Sequence, residues 1–187
     1  AQGERIPQDE WNKIKDESRF YRNLPLKTDA YKLYWFCRNL VDDGRADDLR
    51  FLTALPHDYS MPYAAQDKVW WADEHFPGIP VFIGPFSHDK WRRCSPGDIL
   101  IDDRVSNCEE WRREGGQAHE YRNWEECKVW LEETLNCSTT KSTSPITCST
   151  PLQTVFISIT ALPISTQQQI SRWQIMVHPQ RWHPLVS

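Results

Sequence analysis

Residues 97–121 read GDILIDDRVSNCEEWRREGGQAHEY. Asp98-Ile99-Leu100-Ile101-Asp102 is a short apolar run bounded by acids, too short for a helix and typical of a buried strand. Ser106 fits as a helix N-cap, Gly115-Gly116 closes that helix, and QAHEY at 117–121 reads as the next strand. The same alternation extends outward. Thr28 or Asp29 caps a helix in which Ala30, Leu33, Tyr34, Cys37 and Val41 fall on one stripe, and Asp42-Asp43-Gly44 ends it. FLTAL at 51–55 and IPVFI at 79–83 are apolar strands. Between them Pro62 suits a helix start, with Ala65, Val69, Ala72 and Phe76 on one face before Pro77-Gly78. Asn123, with Glu126 three residues on, opens a last helix ending near Leu135. Strands alternating with helices predict an α/β fold, a Rossmann-like parallel sheet with helices on both faces.

Composition narrows the function. The 187 residues suit about one domain. A formal charge of −4 speaks against a nucleic-acid polymer as partner, since such binding relies on clustered positive charge. No stretch approaches the ~18 to 20 apolar residues of a membrane span. The six cysteines form no Cys-x-x-Cys pair, which predicts reduced, structural thiols in a cytoplasmic protein. The opening AQGERIPQDEW has neither the apolar core of a signal peptide nor an initiating Met, so a further segment upstream is expected.

The chain changes character near residue 137. All 26 carboxylates lie in residues 1–136, and residues 137–187 hold 16 Ser or Thr and no acid. The expected organisation is therefore a domain over 1–136, with 1–45 a helical region and 46–136 the core, followed by a Ser/Thr-rich, poorly ordered tail at 137–187. Within the tail, TVFISITAL at 154–162 has the β-branched content of one strand.

In an open parallel sheet, ligands bind at the carboxyl edge, where loops and helix N-termini converge. That edge receives Thr53, Ala54 and His57 from the first apolar strand and Asp102, Asp103 and Arg104 from the third. His88-Asp89-Lys90 lies in the connection between the second and third strands. Adjacent carboxylates resist joint ionisation unless a cation or donors meet them. Magnesium, which takes oxygen ligands from one or two carboxylates, waters and a phosphate, suits Asp102 and Asp103. The alternative is that they open a polar turn and cap a helix. Thr53 can donate to a phosphate oxygen and Lys68 or Lys90 can neutralise it, or each can be an ordinary strand or surface residue.

The segments FLTALP, AAQDKVWWADEHFP, SHDK and GDILIDDRVSNCEEWRREGGQAHEY resemble the second, third and fourth motifs of the haloacid dehalogenase-like (HAD-like) phosphohydrolases, particularly the 5'(3')-deoxyribonucleotidase group. FYRNLPLKTDAYKL resembles the helical stretch, part of the small cap, that precedes the second motif there. The resemblance implies that Thr53 binds the phosphoryl group with Ala54 beside it, Lys90 steadies it, Lys68 adds a positive contact, and Asp102 and Asp103 hold Mg2+. It implies a magnesium-dependent phosphatase of nucleotidase type, acting on a nucleoside monophosphate or another small phosphate ester through an aspartyl-phosphate. Trp11, Phe20 and Tyr21 would lie in the cap region, where they either pack a core or stack on a nucleobase.

One departure is large. The family's nucleophile sits in an Asp-x-Asp segment ending the first strand, in the middle of the sheet, and no Asp-x-Asp occurs in these 187 residues. Thr53 and the lysines cannot replace a carboxylate nucleophile. The chain as given is thus expected to be inactive, and the alternative is a non-catalytic phosphate- or nucleotide-binding remnant or a truncated product. The tail reads as an unrelated appendage; the other reading places TVFISITAL in the vacant central position.

Overall fold

The computed structural model of the chain describes residues 8–16, 19–56, 61–84, 86–139 and 153–158. Helices α1 (Gln8–Asp16) and α2 (Ala30–Asp42), with a 3₁₀ turn at Phe20–Asn23 between them, lead into strand β1 (Asp48–Ala54). There follow α3 (Ala64–His75), β2 (Val81–Gly84), a 3₁₀ helix at Ser87–Arg93, β3 (Ile99–Asp102), α4 (Val105–Arg113), β4 (Gln117–Glu120), α5 (Trp124–Thr139) and β5 (Thr154–Ser158). The five strands form one parallel sheet in the order β2-β1-β5-β3-β4. This is the α/β Rossmann-like architecture of the HAD-like fold. No helix among the described residues is long and apolar enough to cross a membrane.

The strands of residues 46–136 leave the centre of the sheet open between β1 and β3. The tail fills it. Leu49 pairs with Val155 and Phe51 with Ile157 on one side, while Ile99 pairs with Val155 and Ile101 with Ile157 on the other. The appendage reading therefore does not hold for residues 153–158. Residues 140–152 and 159–187, like His57, lie outside the described residues. The physical reason is backbone pairing. Left apart, β1 and β3 would carry unpaired N–H and C=O groups in the middle of a buried sheet, which is costly. Because β5 is covered on both faces it must be apolar on both. Val155 and Ile157 join the cluster of Leu33, Phe51, Trp71 and Leu131, and Phe156 joins that of Leu52, Leu100, Cys108 and Trp111. The buried Asp98 carboxylate fastens the entry to β5, accepting from Ser95 N at 2.9 Å and Thr154 N at 3.1 Å.

Most element expectations hold within a residue or two, and Asn123 caps α5 through Glu126 N at 2.8 Å. The α3 stripe holds only in its second half, where Ala72 and Phe76 are buried. Val69 is exposed, and the inward face carries Ala64, Asp67, Lys68, Trp71 and Ala72. Two charged residues displace the apolar stripe because each finds partners inside: Asp67 lies 3.2 Å from the Arg19 guanidinium, and Lys68 reaches Thr53. Gly115-Gly116 is explained by close approach. Gly115 has φ +85°, and a Cβ on Gly116 would collide with the Trp111 indole and Cys94 Sγ. Trp11, Phe20 and Tyr21 pack with Ile14, Met61 and Ala64 in a small cluster of their own.

Candidate active site

The carboxyl ends of β1, β5 and β3 meet side by side in the sheet, bringing Thr53, Ser158 and Asp102 together. Lys90, 1% exposed, links two of them. Its ammonium, delivered by the 3₁₀ helix at Ser87–Arg93, donates to Asp102 Oδ2 at 2.6 Å and to Ser158 Oγ at 2.7 Å. The other oxygen of Asp102, Oδ1, accepts from Arg104 N and from Asn107 Nδ2, both at 2.9 Å. Burial alone would raise this carboxyl's pKa. The Lys90 charge and hydrogen bond, with the Arg104 and Asn107 donors, outweigh burial and hold it below the ordinary carboxylate value.

Lys68 is the second buried cation. Its Nζ donates to Thr53 Oγ1 at 3.2 Å and stands 4.2 Å from the centroid of the Tyr21 ring. Among the described residues no carboxylate lies within ion-pair distance of it. Burial, followed by repulsion from Lys90 and Arg104, pushes its pKa down to about 7, against a smaller upward pull from Asp103. That mutual influence places Lys68, Lys90, Arg104 and Asp103 in one electrostatic neighbourhood. Lys27 belongs to it too: its pKa is lowered by burial, with Asp103 and Asp29 opposing. Ala54 ends β1 beside Thr53 and offers no hydroxyl.

The six residues singled out from sequence thus gather at one sheet edge, but the paired acids do not act as a pair. Neighbouring residues at a strand end point to opposite faces. Asp102 turns to Lys90 and Asn107, whereas the charge of Asp103 acts on Lys27 and Lys68. Three functional partners escaped the sequence reading. Ser158 lay in a tail without acids, Lys27 in a stretch read for its helix, and Asn107 in an ordinary helical turn; for Asn107 the spacing of five residues from Asp102 was the available signal.

The arrangement does not fit a resident divalent cation. Asp102 already accepts three donors including an ammonium. No carboxylate can come from residues 137–187, which contain none. Among the described residues, Lys27, Lys68, Lys90 and Arg104 stand against Asp29, Asp102 and Asp103 there, so an added dication would meet four cations with three carboxylates.

A parallel α/β sheet with two buried lysines, a strand-end threonine and an acid at its carboxyl edge is in keeping with the HAD-like fold. Comparison with family models then gives the particular family. The model described as "5' nucleotidase, deoxy (Pyrimidine), cytosolic type C protein" matches residues 12–128, more than half of the chain. The chain belongs to that 5' nucleotidase family. A search of curated proteins and a search of solved structures each found no match.

Proposed function

We propose that this chain is a nucleotidase-type domain that holds the phosphate of a deoxynucleoside monophosphate against Thr53, Lys68 and Lys90, and that it does so without hydrolysing the ester. The observation that carries the reading is Lys68, a buried ammonium whose polar partner is one threonine hydroxyl. Burial and the neighbouring Lys90 and Arg104 outweigh the pull of Asp103 on this ammonium, and a phosphate oxygen would add negative charge through a charge-assisted hydrogen bond. Lys90 would present a second ammonium and Thr53 a hydroxyl to the same group. The nucleoside would lie toward the cavity of about 250 Å³ lined by Phe20, Tyr21, Met61 and Tyr63, since Tyr21 borders both the cavity and Lys68.

Two features support the absence of turnover. The chain has no Asp-x-Asp segment, and the end of its central strand carries Ser158. An aspartyl-phosphate route needs a carboxylate nucleophile there. In a nucleotidase with that carboxylate, the same lysines would stabilise charge on the transferring phosphoryl group. The magnesium dependence implied by Asp102 and Asp103 belongs to that active arrangement. The family description's word "cytosolic" supports a cytoplasmic location.

The test is calorimetry of the 187-residue chain with deoxyuridine 5'-monophosphate, paired with a phosphate-release assay, both with and without magnesium. Binding without phosphate release is expected, with Lys68→Met weakening binding at least about tenfold, the loss of one charge-assisted hydrogen bond. Release above a no-enzyme control would overturn the binding-only reading, and unaltered affinity in Lys68→Met would remove the phosphate from this edge.

A further inference from the structure

The Lys90 ammonium lies between two oxygens from neighbouring strand ends, Asp102 Oδ2 at 2.6 Å and Ser158 Oγ at 2.7 Å, with all three side chains buried. A cation bridging two strand-end oxygens has the coordination logic of a small metal ion, but here it is covalently part of the protein. Ser158 is decisive because a hydroxyl adds an oxygen without a charge. Asp102 then balances Lys90 alone. Beyond that ion pair, among the described residues, Lys27, Lys68 and Arg104 face Asp29 and Asp103, an excess of one positive charge at the edge while Lys68 is protonated. An excess of that sign attracts an anion and repels a dication.

We propose that this site binds a phosphate group without a metal ion, with Lys90 standing in the metal's place because β5 ends in Ser158. The inference rests on the reading that a phosphate occupies this edge, and it adds how that phosphate is neutralised. The ligand chemistry is a phosphate group, free or esterified. Orthophosphate and deoxyuridine 5'-monophosphate separate the two sources, since only the ester can use the aromatic cavity beside Tyr21.

The experiment is calorimetric titration of the 187-residue chain with each ligand, in EDTA and again in excess magnesium, with magnesium also titrated alone. Phosphate affinity is expected to agree within about twofold between the two conditions, a difference of less than about 0.5 kcal/mol, and magnesium alone should give no binding heat. Ser158→Asp reverses the charge logic. It should weaken metal-free phosphate binding about tenfold or more and confer binding of Mn2+, detected by loss of the free-ion electron paramagnetic resonance signal. Near-UV circular dichroism checks that the variant is folded. If it is not, the comparison of the parent chain in EDTA and in magnesium decides between the two outcomes by itself. Phosphate binding that requires magnesium would overturn this proposal while sparing the site. Absence of phosphate binding under both conditions would overturn the site and the proposal together. Ester binding with no orthophosphate binding would show that the nucleoside, not the lysine-neutralised phosphate, drives association, and would also overturn it.

Discussion

Replacing Phe156 by alanine tests whether the tail strand is an integral part of the domain. Phe156 is 3% exposed and sits between the rings of Trp111, at 5.2 Å, and Phe82, at 6.4 Å, on the face shared with Leu52, Leu100 and Cys108. Truncating a core Phe to Ala costs about 3–5 kcal/mol from lost burial and the cavity left behind. The wall of that cavity is the stiff indole of Trp111, itself fastened by its Nε1–H to Asp98 O at 3.0 Å, so it cannot collapse freely, which favours the upper half of that range. With a urea slope of ~2 kcal/mol per molar, the midpoint should fall by roughly 2–2.5 M. Against a total stability of about 5–15 kcal/mol, this single change would leave a marginal fold. Urea unfolding followed by tryptophan fluorescence and far-UV circular dichroism measures it. Val129→Ala, at an exposed position of α5, serves as control and should stay within about 0.5 kcal/mol of the parent. A midpoint shift for Phe156→Ala no larger than the control's would refute the placement of β5 in the sheet, and with it Ser158 as a member of the site.

Two further outcomes follow from the same geometry. Gly116→Ala forces a methyl group into the Trp111 indole and Cys94 Sγ, so thermal unfolding should show a loss of about 1–3 kcal/mol, whereas a neutral result would remove the close approach as the reason for glycine there. The folded-state pKa of Lys68, about 7, lies below its ordinary 10.5, so in that window the unfolded chain holds a proton that the folded one has released. Its contribution therefore makes stability rise with pH from about 7 toward 10.5, while phosphate affinity falls over the same window by at most about tenfold per pH unit, because binding requires the charged ammonium. Both slopes should be present in the parent and absent from Lys68→Met, measured by urea unfolding and by calorimetry across that range; persistence of either in the variant would acquit Lys68.

How much was legible from the sequence depends on the range of the forces involved. The strands at IPVFI and DILID, the glycine pair after α4 and the Asn123 cap are encoded by side chains within a turn or two of the residues they act on, and these appear where their spacing predicts. Thr53, Asp102 and Lys90 were legible as members of one site because a parallel sheet sends every strand's carboxyl end to the same edge. The orientation of α3 was not, since apolarity favours Val69 inward and only the tertiary partners of Asp67 and Lys68 make the opposite choice affordable.

Sequence by itself thus determined the class of the fold, its alternation of strand and helix, and that no Asp-x-Asp occurs within these 187 residues. Only the tertiary structure decided what completes the sheet and what faces the lysines. A β-branched segment such as TVFIS carries no local mark of its neighbours; it joins β1 and β3 because their buried backbone groups need partners, and that demand exists only once the sheet has formed. The same pairing brings the uncharged Ser158 beside Lys90 and Asp102, across 68 residues of sequence from the lysine, and so sets the balance of charge at the site.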